Sequence, residues 1–368
     1  MSGAITATSQ SDSGWMSSLI SDAATVRAQE QTLTNQVSTG QVSSTYAGLG
    51  SGAAVSLNIN PEIANLQTWQ SNINQAAGSM DVTQTAMTQL QSIASSFYAQ
   101  VNSLSSASAS TVDTIAASAQ SALQEVAGLL DTTDGNTYVF GGADSSNPPV
   151  PDPDAILTSG FATQISGEVA NLATNGATAT ASAIIATGSS NTIGTSPFSA
   201  YMSQPATTLQ AQAPVVQVGQ GQIVQIGLLA SANSSAVTST GVSTGTSTGS
   251  YMRDLMSALA TIGSLSSSQV GAAGFQGLVQ STSTTLQGVV TAMGSDAGVL
   301  GNTQTTLTAS QAQMADTVTA LTTQVGAVQN VDMAQTMSDL TLVQTQLQAS
   351  YQMIAGMSAL SLVKFLPS

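Results

Sequence analysis

Catalysis on a polypeptide needs a base, a nucleophile or a set of metal ligands, and this sequence is nearly stripped of all three. Its 368 residues contain no histidine and no cysteine. That removes most zinc, copper, haem and iron–sulfur ligand sets and both common catalytic triads. Serine and threonine abound, yet a hydroxyl without a histidine base beside it is a weak nucleophile. Asp152 and Asp154, with Asp144 nearby, suggest a Ca²⁺ loop at first sight. Their spacing lacks the twelve-residue pattern and terminal Glu of an EF-hand, so they read as a solvated acidic loop. Gly219-Gln220-Gly221 has neither a strand-to-helix context nor a lysine, so it does not cradle phosphate. The residues predict no enzyme, no cofactor and no metal site.

What the composition does favour is contact between like surfaces. Only Arg27, Arg253 and Lys364 are cationic, against 18 acidic residues, for a formal net charge of −15. Neutralising phosphates takes clusters of Lys and Arg, so nucleic acid is excluded and an anionic membrane surface is disfavoured. Charged residues make up 6% and hydrophobic ones 42%, the reverse of the balance that keeps acidic chains disordered. Much of the surface must then be uncharged Ser, Thr, Gln, Asn and Gly, suited to being covered by other copies and little affected by an acidic medium. The length allows two or three domains. No apolar run of signal-peptide length is present at the start, where the first 26 residues lack Lys and Arg, and no window is long enough to span a membrane. Release from the cell would take another route.

The elements that dominate are helices with a seven-residue seam. Leu19, Val26 and Leu33 recur by sevens, with Met16, Ala23 and Val37 beside them and Glu30 as the polar break. This predicts a helix of roughly 25 residues with one apolar stripe. Thr39-Gly40 ends it, and the glycines up to Asn60 predict a loop, with Pro61 in the first turn of the next helix. Ile59, Leu66, Ile73, Met80, Met87, Ala94 and Val101 then form one seam, and Trp69, Ala76, Leu90, Phe97 and Leu104 its companion, with Thr83 as the exception. At 1.5 Å per residue, about 45 residues make a rod of roughly 65–70 Å. A shorter helix carries Val112, Ile115, Ala119, Leu123, Val126 and Leu130.

From Tyr138 the texture turns to Gly, Pro, Ser and Thr. Pro148, Pro149, Pro151 and Pro153 forbid helix locally, and the apolar alternation around Val215–Val218 and Ile223–Ile226 predicts a β-hairpin. Helix returns with Leu255, Leu259 and Ile262. A second long seam follows at Val279, Leu286, Met293, Leu300, Leu307, Met314, Leu321 and Val328, where Gly288, Gly294, Gly298 and Gly301 predict a break or kink near 294–301. Met333, Leu340, Leu347 and Ile354 form the last seam, with Met337, Val343, Tyr351 and Met357 beside it and an apolar end at Leu360, Leu362, Val363, Phe365 and Leu366.

The expected fold is mainly α with a β-rich insert, a long antiparallel helical rod or coiled coil made by the two ends of the chain. Segments 1–40 and 325–368 are the terminal helices, 41–140 and 251–324 the helical rod, and 141–250 the β-rich outer domain. Leu66, Ile73, Met80, Met87, Leu90, Phe97, Val101, Leu286 and Leu307 are the predicted rod core. Leu19, Val26, Leu33, Val37, Leu340, Leu347, Tyr351, Ile354, Leu360, Leu362, Phe365 and Leu366 are the predicted polymerisation surface, because those outer helices have only each other for cover within the chain.

The ends of the chain resemble the flagellin family. Gln36-Val37-Ser38-Thr39-Gly40 is similar to the L-S-[ST]-G sequence that closes the family's first helix. The stretch Leu66 to Ile93, with Asn72-Ile73-Asn74-Gln75-Ala76, resembles the start of its long rod helix. Leu340 to Leu366, with Leu360-Ser361-Leu362, is similar to the terminal helix and its closing L-S-L. Within the family, Gly135-Asn136-Thr137-Tyr138-Val139-Phe140-Gly141-Gly142 followed by Pro148-Pro149 resembles the hook–filament junction branch, the hook-associated protein 3 group. The chain departs from the family between Gln41 and Asn60, where relatives carry Arg and paired Asp and this sequence has no charge.

The resemblance implies a structural subunit of the bacterial flagellum, exported unfolded without a cleaved signal peptide and assembled outside the cell. Its partners would be further copies of itself, the neighbouring hook-associated protein and flagellin of the axis, and an export chaperone. Two other readings stay open at this point: a filament-forming flagellin, and a secreted adhesive or enzymatic module displayed by the insert.

Overall fold

The computed structural model describes residues 6–105, 108–233 and 247–362. The chain forms two compact units, one from residues up to Gln67 together with those from Asp316 on, the other from Thr68–Ala315. Long helices dominate both, as the seams predict.

In the first unit, α1 (Thr6–Thr39) packs on α9 (Met333–Leu362), alongside the beginning of α2 (Gly52–Leu104) and the end of α8 (Phe275–Gln329). Gly40 ends α1 as predicted: at φ +71° it enters the left-handed region and donates its N–H to Gln36 O at 2.8 Å. The chain then makes an antiparallel bridge, Gln41 with Asn330. Val42 donates to Gln329 O at 2.7 Å, and Val331 donates to Gly40 O at 3.0 Å. Asp332 starts α9, its Oδ1 accepting from the N–H groups of Ala334 at 2.9 Å and Gln335 at 3.1 Å.

Two expectations are corrected here. The loop after α1 runs only over 40–51, and α2 begins at Gly52 with Pro61 inside it. A proline in a helix interior costs about 3 kcal/mol. The stripe overrides that cost because it starts before the proline, with Ser56 fully buried and Ile59, Ile63 and Leu66 half-buried. Pro61 and Leu57, whose carbonyl loses its partner, both face solvent. The break expected at 294–301 is also absent, since α8 is continuous through it. Gly288, Gly294 and Gly298 lie on the exposed side, while Leu286, Val289, Met293 and Leu300 stay buried on the other. Packing along that stripe outweighs the weak helix propensity of glycine.

In the second unit, α2 and α8 run antiparallel in heptad register. Asn74 accepts from Gln311 at 2.6 Å, Asp81 accepts from Gln304, and Asn102 accepts from Ser283 at 2.7 Å. Each step of seven or 21 residues along α2 is matched by the same step backwards along α8. Between these polar contacts the α2 seam from Ile73 to Leu104 is buried throughout, and so are Leu286, Leu300, Leu307 and Met314 on α8. α3 (Ala109–Leu130) buries its predicted stripe against α7 (Tyr251–Gly263).

The described part of the insert holds the expected β-hairpin and adds helices to it. Among its described residues the strands form one hairpin, β3 (Val215–Gly219) with β4 (Gln222–Gln225), preceded by the two-residue pair β1 (Thr133–Asp134) and β2 (Thr137–Tyr138) at its entrance. The rest of the described segment is α4 (Gly160–Ala170), α5 (Leu172–Gly188), α6 (Ala206–Ala211) and turns. Ser159 caps α4, accepting from Ala162 N at 3.3 Å, and Phe161, Ile165 and Val169 bury one face at four-residue spacing.

α3, α4 and α5 pack on α7, every residue of which is buried. Arg253 lies in its first turn. Its Nε donates to Ser231 O at 3.1 Å, its Nη1 to Gly188 O and Ser190 O at 3.1 Å each, and its Nη2 to Asn191 Oδ1 at 2.9 Å and Met202 O at 3.5 Å. The guanidinium also sits 5.2 Å from the centre of the Phe198 ring. Burial pulls its pKa down to about 10, which leaves it charged at neutral pH. Asp254 beside it accepts from Ser247 Oγ at 2.5 Å and Thr248 N at 2.7 Å. One cation thus ties three backbone segments, 188–191, 202 and 231, to one helix.

Removing Arg253 strands its four carbonyl partners in the interior. Arg253→Met should cost the second unit about 3–5 kcal/mol in urea unfolding, as for other buried charged groups that lose a partner. Arg253→Lys should recover little, because an ammonium cannot reproduce the planar fork. The same change at exposed Arg27 should stay within about 0.5 kcal/mol. An Arg253→Met chain as stable as its parent would refute the anchoring role.

A pH dependence follows from Asp131 at the end of α3. Burial raises its pKa from the ordinary 3.8 to about 6, although it accepts from Val150 N at 2.9 Å. Burial raises Asp254 as well, against the opposing hydrogen bonds of Ser247 and Thr248. The folded chain therefore holds these protons more tightly than the unfolded one, and stability falls as pH rises from 3.8 through about 6. The expected Tm at pH 5 is higher than at pH 7.5. Asp131→Asn should flatten that slope; an unchanged slope would remove Asp131 as its source.

Candidate assembly interface

The pairing of α1 with α9 follows from a stripe on each. On α1, Ala23 is buried, and Leu19, Val26, Leu33 and Val37 are half-buried, as is Glu30, the predicted polar break. On α9, Thr336, Val343 and Leu347 are buried, and Leu340, Ser350 and Ile354 half-buried. The two helices are antiparallel: α1 runs toward the Gln41–Asn330 bridge and α9 runs away from it.

Tyr351 lies off the buried stripe. The α9 stripe alternates 340, 347 and 354 with 336, 343 and 350, so Tyr351, one residue on, is turned about 100° away and is 48% exposed. Met337, also placed beside the seam, is exposed for the same reason, and so is Met333 at the start of the helix. Leu360 and Leu362 continue α9, with side chains beyond the described ones, and Phe365 and Leu366 lie outside the described residues.

This pairing leaves much apolar surface uncovered. Trp15 and Ile20 on α1 are 64% and 54% exposed. On α9, Met333, Met337 and Tyr351 form a ridge on one side of the buried stripe, and Leu342 and Met353 lie on the other. Covering a large apolar side chain fully is worth roughly 1.5–3 kcal/mol. The polar residues between these ridges resist burial less than their type suggests. The hydroxyls of Thr25, Thr32, Thr341, Thr345 and Ser350 donate to the carbonyl four residues back at 2.9–3.0 Å. A hydroxyl already satisfied by its own helix adds little desolvation cost when a neighbour covers it. The arrangement therefore suits lateral contact with further helices.

Ile73, Met80, Met87, Leu90, Phe97, Val101, Leu286 and Leu307 are buried in the second unit, and Leu66 is half-buried in the first. The segment Tyr138-Val139-Phe140-Gly141-Gly142 is a closed turn. Tyr138 is half-buried, Phe140 is fully buried, and Phe140 O accepts from Ala230 N at 3.1 Å. Gly142 has φ +62°, and a Cβ there would come 2.7 Å from Leu229 Cδ2; one on Gly141 would come 3.0 Å from Asp144 O. Only glycine fits this packing. The segment thus pins the end of α3 to the chain near 230.

Asp144 accepts from Asn147 Nδ2 at 2.7 Å and Asp152 from Ala155 N at 3.2 Å, so both brace turns. Among the described residues no three His, Cys, Asp or Glu side chains gather as a metal site, and no helix is long and apolar enough to cross a membrane. Sequence reasoning missed Arg253. Its rarity was the available signal: one of three cations, directly after Ser250-Tyr251-Met252, where Ser250 caps α7.

Residues 16–143 match the family model for the bacterial flagellin N-terminal helical region, and residues 284–366 that for the C-terminal helical region. No curated protein matches the chain.

Val343→Asp and Leu347→Asp place a charge in the α1–α9 stripe, and each should cost that pairing on the order of 3 kcal/mol. Hydrogen exchange is expected to accelerate across α1 and α9 and stay unchanged in α3 and α7. Tyr351→Ala, on the open ridge, should leave exchange in the free chain as it was. Equal effects from Tyr351 and Leu347 would contradict the assigned register.

Proposed function

We infer that this chain, which belongs to the flagellin family and is a structural subunit of the bacterial flagellum, forms the junction between hook and filament. The observation that carries the finer assignment is the segment Gly135 to Gly142 followed by Pro148-Pro149, which resembles the hook-associated protein 3 group. Its fold as a glycine-dependent turn around Phe140 supports the reading, because such a turn constrains the residues that the resemblance singles out.

Subunits of this family are exported to the flagellum and self-assemble with other axial proteins. In the proposed mechanism the terminal segments 1–40 and 325–368 form the inner tube. Segments 41–140 and 251–324 form the surrounding helical layer, and 141–250 faces outward. The physical rationale lies in the single stripe of α1 and α9. A lone helix with one stripe is marginal in water, and neighbours that cover Trp15, Ile20, Leu342 and the α9 ridge supply the missing burial. An export chaperone would cover the same stripes before assembly.

Immunogold labelling of isolated flagella separates the two positions in the axis. A single band at the hook end is expected, and loss of the gene should leave hooks whose filaments are shed. Decoration along the whole filament would make the chain the filament subunit and overturn the junction assignment.

A further inference from the structure

We propose that α9 is a methionine oxidation site, at which Met333, Met337 and Met353 are converted to sulfoxides in the free subunit and so close its assembly face. The proposal rests on the reading of α9 as an assembly surface.

The chain has 13 methionines and no cysteine, so thioethers are its only sulfur. The methionines with described side chains fall into two groups. Every one outside α9 is buried, at 9% exposure or less, whereas Met333, Met337 and Met353 are 41%, 55% and 55% exposed. Methionine elsewhere in this chain is core filler in its usual role. On α9 the same residue stands in water on both sides of the buried stripe, where susceptibility to oxidation follows exposure.

The reactant is hydrogen peroxide. Each thioether sulfur takes one oxygen atom as the O–O bond breaks and an S–O bond forms. Water leaves, sulfur loses two electrons and the peroxide gains two. The product is polar and chiral, and needs a hydrogen-bond donor wherever it is buried. Neither ridge of α9 offers a charged donor, because its described residues include no Lys or Arg. Covering an oxidised ridge therefore buries a sulfoxide among uncharged groups at a desolvation cost that the thioether does not carry, while an already covered α9 shields its sulfurs from the reagent. A sulfoxide reductase reverses the modification in the free subunit.

The test treats the full-length chain with graded hydrogen peroxide and maps the added oxygen by peptide mass spectrometry. Met333, Met337 and Met353 should oxidise roughly tenfold faster than Met80 and Met293, in line with exposure. Oxidised chain should fail to co-sediment with isolated hook–basal bodies and recover after sulfoxide reductase treatment. The triple variant M333L/M337L/M353L should co-sediment before and after peroxide. Even oxidation of all methionines, or undiminished co-sedimentation of the oxidised chain, would overturn the proposal. If the untreated chain fails to co-sediment at all, the assembly reading falls and the proposal falls with it. Selective oxidation without any effect on co-sedimentation sinks the proposal alone.

Discussion

A long helix with one apolar stripe is a poor solution to folding in water. It gains burial along a single seam, pays the full entropy of ordering its backbone, and leaves its remaining circumference wet. This chain answers with an antiparallel partner from its other half. The matched contacts Asn74–Gln311, Asp81–Gln304 and Asn102–Ser283 hold α2 and α8 in a common register, and a shift of either helix by one turn would break all three while misaligning the seams. Because that pairing returns the chain on itself, α3 and α7 meet at the base of the insert, and α4 and α5 pack on α7.

The insert's own stability is concentrated differently. Large apolar side chains such as Phe161, Ile165 and Phe198 are buried in it, but much of its sequence is Ser, Thr, Gly and Ala. A buried guanidinium offers what apolar packing there cannot: five N–H donors in a rigid fork, each aimed at a carbonyl or amide oxygen from a turn that would otherwise be unpaired. Such an arrangement is costly if incomplete and specific when complete. Outside the core, hydroxyls folded back on their own helices take the place that charges hold in most soluble chains.

The helical fold was largely legible from the sequence because a heptad seam is a redundant signal. Ten consecutive seam positions from Ile73 to Leu104 all proved buried, so one exception such as Thr83 could not mislead. The failures came where a single residue type was allowed to outvote a seam: Pro61, and the glycines near 294–301. The helices of the insert were illegible for the opposite reason, since Phe161, Ile165 and Val169 give three marks over nine residues of a background with weak helix propensity. Tyr351 shows the limit of register on a helix whose stripe includes Thr336 and Ser350, small polar residues that periodicity in apolar residues passes over. No pattern in the sequence pointed from Arg253 to its partners, which lie between 22 and 65 residues away.

The scarcity of cations has a consequence for durability. Proteases that cut after arginine or lysine find three positions in the whole sequence, and the one at Arg253 is sealed within a helix that is buried along its entire length. Cleavage there would require the second unit to have opened already. A protein exposed to arginine- and lysine-directed proteases could reach the same end with disulfides; this one reaches it by leaving those proteases almost nothing to read.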